Sequence, residues 1–357
     1  MMKIVSRLRS KTAHLVAGLV AALLLPVLAQ PAAAQGYLTL NLVSGTPGQA
    51  IRTDPNVVVP WGIAASGSSP WWIANAFSGT STLYNGFGKI VPLVVTVPPV
   101  AGGTPPGSPT GIVHNGSKVD FQVSNGTTSG SAVFIFATLD GTIQGWSPGV
   151  SLTSTEVGLD NSMTGASYTG LAIGSNSSGN FLFAADYALG TVDMIDSTFT
   201  WVGSFTDPSL PAGYAPFGIQ NIKGWLYVTF GPQNFGFTPG AAAVDVFDTS
   251  GNLVQQLITG GPLFAPWGLA MAPANFGQFS NDLLVGNLFD GHINAFDPSS
   301  GAPLGWLTDR NGAAISIPGL WGIGFGNGKG SGQKNALYFA SGAGVFGVIY
   351  PRGIPLH

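Results

Sequence analysis

PWGLAMAPANFGQFSNDLLVGNLFDGHINAFDPSSGAPLGWL, residues 266–307, holds one full copy of the pattern that decides the fold. Pro266-Trp267-Gly268-Leu269-Ala270-Met271 opens it as a short apolar strand, and Leu283-Leu284-Val285-Gly286 supplies a second. Asp290-Gly291 then suits a hairpin, because both central residues of the favoured two-residue turn take positive φ. Ile293-Asn294-Ala295-Phe296 makes a third strand, ended by Asp297-Pro298-Ser299-Ser300-Gly301, and Pro303 to Leu307 makes a fourth, outer one.

The opening of this unit recurs along the chain. Pro60-Trp61-Gly62-Ile63, Pro109-Thr110-Gly111-Ile112, Tyr168-Thr169-Gly170-Leu171, Pro216-Phe217-Gly218-Ile219 and Leu320-Trp321-Gly322-Ile323 all place a glycine between a variable residue and an aliphatic one. The glycines fall at 62, 111, 170, 218, 268 and 322. Such spacing is too long for the common helical solenoids and fits a propeller blade of four strands. Six blades follow, over about 60–100, 109–160, 168–211, 216–262, 266–315 and 320–350, with the longest insertion expected at 145–167. The last blade has no room for a fourth strand. Tyr37-Leu38-Thr39-Leu40-Asn41-Leu42-Val43 alternates apolar and polar residues and has nothing local to pair with. The sequence therefore predicts an all-β protein, a six-bladed β-propeller closed by an N-terminal strand that completes the last blade and leaves no free sheet edge.

Composition agrees. Charged residues make up 8% and apolar ones 45%, with 53 glycines. Such low charge would suit disorder only if apolar content were low too, so this mixture describes short strands and tight turns instead. Residues 1–34 have the form of an export signal: Lys3, Arg7, Arg9 and Lys11 precede an apolar run, and Ala32-Ala33-Ala34 ends it. Pro26 interrupts the run, which falls short of the roughly 18 apolar residues that span a bilayer. Residues 35–357 then form one domain, secreted or periplasmic, with no integral membrane span once the signal is cleaved. That mature chain holds eight basic against 15 acidic residues, about −7 in charge, so it has no basic patch for phosphates and nucleic acid is not an expected partner. Cysteine is absent, which removes disulfides and thiolate chemistry.

Register maps two rings of residues onto one mouth of the central channel. Trp61, Thr110, Thr169, Phe217, Trp267 and Trp321 precede the six glycines; Trp61, Phe217, Trp267 and Trp321 are the candidate ligand-binding residues. Two readings stand, a platform for stacking a sugar or apolar ligand and a plug that packs the blades together. Asn75, Thr138, Asp186, Phe230, Asn287 and Ser341 end the second strands. Asn75, Asp186 and Asn287 fall on alternate blades, an oxygen set of the kind Ca²⁺ accepts, although Asn and Asp also cap turns. His114 is expected in an exposed turn, and Asp196, Asp248 and Asp297 are expected to form turns on the opposite face. No Gly-x-Ser-x-Gly elbow is present, and Glu156 is the one glutamate. No catalytic residue is assigned.

The repeat x-Gly-Ile-Ala … Leu-Tyr-Val-x-Asn … Gly-x-Ile-x-x-Phe-Asp resembles the NHL-repeat and SMP-30/gluconolactonase-like propellers. Over residues 37–350 the chain is similar to an uncharacterised secreted bacterial propeller family. The carrying residues are Asn41-Leu42-Val43-Ser44, Thr53-Asp54-Pro55-Asn56, Pro60-Trp61-Gly62-Ile63-Ala64, Ser81-Thr82-Leu83-Tyr84-Asn85-Gly86, Gly203-Ser204-Phe205-Thr206-Asp207-Pro208, Pro216-Phe217-Gly218-Ile219-Gln220-Asn221 and Gly286-Asn287. The lactonase-like resemblance implies an axial metal held by Glu, Asn and Asp. Asp186 matches an acid ligand and Asn75 or Asn287 an amide one, while Pro60-Trp61-Gly62 stands where the glutamate would be. Three functions follow as expectations: a binding or interaction module for a glycan, envelope polymer or protein; a metal-dependent lactonase-like hydrolase; or a structural envelope component.

Overall fold

The computed structural model describes residues 36–351, so the export signal and the segment 352–357 lie outside the described residues. Within them the strands form six blade sheets around a central channel, antiparallel except for one short parallel pair in blade six. Blade five runs Pro266–Met271, Leu283–Asn287, Ile293–Phe296 and Pro303–Trp306, hydrogen-bonded in that order. In blade six, Leu320–Phe325, Leu337–Ser341 and Val345–Tyr350 are followed by Leu38–Ser44. Contrary to expectation, that strand also has a local partner, Arg52–Thr53, which pairs parallel with its end at the outer edge. That N-terminal strand pairs antiparallel with the last one, Leu38 opposite Tyr350 and Ser44 opposite Val345.

Close approach at the axis explains the repeated glycine. A Cβ on Gly218 would lie 2.3 Å from the Trp267 carbonyl oxygen, and one on Gly62 would lie 2.4 Å from that of Thr110. Gly268 and Gly322 meet the Trp321 and Trp61 oxygens in the same way, so each innermost strand abuts the next around the ring. No side chain fits between them.

One expectation is corrected. The long insertion of blade two is not at 145–167, where Thr142–Trp146 and Glu156–Asp160 already supply the third and fourth strands. It lies between the first strand, Pro109–His114, and the second, Phe134–Thr138, and carries its own hairpin, Gln122–Ser124 with Ser129–Ser131. Polar spacing hid this hairpin, since its six residues bury only Val123.

Between blades the cores are apolar, as in Ile73, Tyr84, Tyr338 and Phe346 at the join of blades six and one. Each of two links also places a Thr-Asp-Pro triplet against a third strand. In blade one the Asp54 carboxylate accepts a hydrogen bond of 2.8 Å from the Tyr84 hydroxyl. Blade four has Phe247 at the position of Tyr84 and Asp245 at that of Thr82. Asp207, the counterpart of Asp54, thus loses the tyrosine and faces Asp245 instead, while Gln256 and Ser209 donate to it. Asp245 is fully buried, and neither of its oxygens has a donor. Burial, then the nearby Asp207 charge, pushes its carboxyl up to about 8.

Candidate functional site

Two ends of the channel differ in chemistry. At the first, the residue before each repeat glycine turns inward. Trp61 and Trp321 stack with ring centroids 3.6 Å apart, and Trp267 stands edge-on to both at 6.5 and 5.9 Å. Phe217 packs on Trp321 at 5.6 Å. The Trp267 indole N–H reaches across from blade five to donate to the Thr169 carbonyl of blade three, 2.9 Å away. Thr110 and Thr169 stitch neighbours together, each hydroxyl donating at 2.7 Å to a carbonyl of the next blade. Trp61, Phe217 and Trp321 are buried and Trp267 is half-buried, so the rings fill this mouth.

Around that plug the turns between second and third strands raise a crown of exposed apolar side chains. Phe77 is 59% exposed, Leu189 50%, Phe235 52% and Phe289 46%. Several of its rings touch: Phe289 meets Phe237 and Phe264, and Phe235 meets Tyr187, which packs on Phe217 of the plug. These six turns contain no Lys or Arg, and Asp140 and Asp290 are their only carboxylates.

Asn75, Asp186 and Asn287 sit where register predicts, opposite Pro60, Tyr168 and Pro266 at the ends of the second strands. All three are fully buried and bond within their own blades and links. Asn75 donates to Thr82 at 3.0 Å, Asn287 donates to the Pro262 carbonyl at 2.7 Å, and one Asp186 oxygen accepts from the Ser167 and Leu189 amides. Each leaves one oxygen without a donor: Asn75 Oδ1, Asp186 Oδ2 and Asn287 Oδ1. Burial pushes the Asp186 carboxyl up, against the pull of its amide donors. Among the described residues no hydrogen bond joins these three side chains to one another. Among the described residues no group of three or more His, Cys, Asp or Glu side chains is placed to hold a metal.

At the other end the channel opens. Behind the plug, Ile63, Ile112, Leu171, Ile219, Leu269 and Ile323, the residues following the repeat glycines, form an aliphatic collar around a void of about 20 Å³. Beyond it the strand ends flare into a bowl of two connected lobes, about 400 and 540 Å³, which share Gln220, Asn221 and Phe325. His114 lines this bowl rather than an exposed turn: it ends the first strand of blade two, half-buried and edge-on to Phe134, and burial lowers its pKa. Asp196, Asp248 and Asp297 cap the turns between third and fourth strands through the backbone amides of Thr198, Ser250 and Ser299. The sequence already held the collar, one residue past each glycine. It held no signal for the bowl, whose shape depends on how far six strand ends splay.

Fold and channel together define a six-bladed β-propeller, plugged at one mouth and open at the other. Two mimivirus proteins are its relatives. The chain is 32% identical over 296 residues to "Uncharacterized protein R648" of Acanthamoeba polyphaga mimivirus, covering 79% of this chain and 72% of that protein. It is 30% identical over 297 residues to "Uncharacterized protein L690" of the same virus, covering 79% and 77%. The chain belongs to the family of these proteins. No family model matches it. Among solved structures it is similar to a streptogramin B lyase, at a TM-score of 0.52 and 13% identity over 88% of this chain and 97% of that one. A catalytically inactive virginiamycin B lyase from Staphylococcus aureus with quinupristin gives 0.52 and 14% over 88% and 98%. At such identity the likeness is one of fold. Among the described residues no helix is long and apolar enough to cross a membrane.

Proposed function

We propose that the protein is an exported binding module, secreted or periplasmic, whose contact face is the plugged mouth. On this reading residues 1–34 are the cleaved signal and 35–357 the single propeller domain. The observation that carries it is the crown: Phe77, Leu189, Phe235 and Phe289 hold large apolar surface in water, on a support made rigid by Trp61, Phe217, Trp267 and Trp321. Exposed apolar patches of this kind mark interaction sites, and aromatic anchors on a packed base are what interfaces use for affinity. Half-buried Trp267 is the plug residue a partner can touch. A protein, glycan or envelope polymer supplies the opposite surface.

The test is a binding survey with the mature chain and a Phe235→Ser/Phe289→Ser variant against envelope polymers, glycan arrays and extracellular proteins. A partner retained by the parent chain should bind the variant at least tenfold more weakly, since each lost anchor is worth about 1–2 kcal/mol. Equal binding by both would sink the assignment of this face.

A second reading has an observation of its own. The three unpartnered oxygens of Asn75, Asp186 and Asn287 are acceptors without donors, and a hard cation such as Ca²⁺ satisfies oxygens of this type. Calcium calorimetry on the mature chain and on Asp186→Ala decides it: stoichiometric heat that vanishes in the variant supports a cation, and identical flat titrations reject one. A lactonase-like hydrolase would require that cation first.

A further inference from the structure

The open bowl lies at the far end of the channel from the crown, and what it binds is independent of the reading above. Its charge is the reverse of the crown's. The loops leaving the lining residues His114, Asn221 and Asn327 carry Lys118, Lys223, Lys329 and Lys334, all exposed. The two carboxylates on the loops joining first to second strands are Asp120, which accepts from Asn180, and Asp282. The only ion pair among the described residues is His292 with Asp290, at the other end, so these lysines have no carboxylate within salt-bridge reach. A chain of net charge −3 thus places the Lys223 ammonium on the lining of this bowl and three more unpaired ammonium groups on loops that leave its lining residues. Inside the rim the surface changes. The walls alternate Ala64, Val113 and Ile173 with His114, Asn221 and Asn327, and the floor is the aliphatic collar. The exposed Gln220 amide stands where the two lobes meet, and His114 in one lobe and Asn281 in the other add polar side chains without a hydrogen bond among the described residues.

A cationic rim over an aliphatic floor matches a molecule with one anionic end and one hydrocarbon end. We propose that the bowl binds an aliphatic carboxylate, its chain directed to the collar and its carboxylate held by the lysine rim and the Gln220 amide. Both halves of the ligand are needed: exposed lysines alone attract any anion weakly, and an apolar floor alone does not choose between charges.

Calorimetry of the mature chain with butanoate, hexanoate, octanoate and octylammonium tests this. Affinity should rise about three- to fourfold for each methylene added, the value expected for burying one CH₂ group. Octylammonium should bind at least tenfold more weakly than octanoate. Lys223→Glu/Lys329→Glu, two exposed changes, should cost octanoate at least tenfold with an unaltered melting temperature, and Gln220→Ala should reproduce part of that loss. No octanoate binding at millimolar concentration overturns the proposal. So does equal affinity for octanoate and octylammonium, a chain-length-independent affinity, or binding that both variants leave untouched.

Discussion

Replacing Asp245 by Asn is expected to raise the melting temperature above pH 8 by at least about 5 °C while changing it little near pH 5. The buried pair explains the direction. Asp207 keeps its charge because the donors Gln256 and Ser209 outweigh its burial, and its own pKa is lowered. Asp245 then holds the proton and stands in for the hydroxyl that Tyr84 gives Asp54. A folded chain keeps that proton up to about pH 8, whereas an unfolded one releases it near the ordinary aspartate value. Between those limits the folded state binds more protons, so stability falls as pH rises. This group's contribution is complete below about pH 4, declines by up to about 1.4 kcal/mol per pH unit, and is gone above about pH 8. An asparagine amide can donate to Asp207 at every pH, so the variant should lose that slope. At this chain length one kcal/mol moves the melting point by about 2–4 °C, which sets the size of the effect. Melting curves of both proteins from pH 5 to 9 measure it; parallel curves would show that Asp245 is ionised throughout.

Deleting residues 37–43 should leave a chain that does not fold stably at 25 °C. Tyr37, Leu42 and Val43 are each at most 3% exposed, and the strand is the outer partner of Val345–Tyr350. Three buried side chains at about 1.5–3 kcal/mol each, with the paired backbone in addition, approach the whole stability of a typical domain. The deletion also uncovers an edge whose strand, Val345–Tyr350, is buried at every position. An apolar edge of that kind recruits other chains. Circular dichroism and sedimentation of residues 35–357 without 37–43 should show lost sheet structure or aggregation. A monomer with an unchanged melting point would mean that the sixth blade stands without its outer strand.

Repetition made the architecture legible. Six x-Gly-aliphatic openings fixed blade number and strand order, and the same register placed Asn75, Asp186 and Asn287 at equivalent strand ends, because pairing with Pro60, Tyr168 and Pro266 depends only on local spacing. Departures from the repeat were harder. The hairpin at 122–131 follows no shared pattern, and the exchange of Tyr84 and Thr82 for Phe247 and Asp245 gains meaning only when Asp207 is seen opposite. Direction was the other gap. Counting residues puts Trp61, Trp267 and Trp321 at one mouth but does not say that they pack on one another, two stacked and the third edge-on. That outcome hands the exposed surface to Phe77, Phe235 and Phe289, residues of turns that differ in length from blade to blade.

The shared sixth blade also sets the order of events in synthesis. Leu38 finds its partner only in Tyr350, nearly the whole chain later, so the earliest strand made must wait for the last. Contacts of such sequence separation carry the largest loop-closure entropy and slow folding. A nascent chain can complete its middle blades one by one, but its ring stays open until the final strand is released. Up to that moment Leu38–Asn41 is the stretch open to a chaperone, since only Val43 and Ser44 have a local partner, Arg52–Thr53.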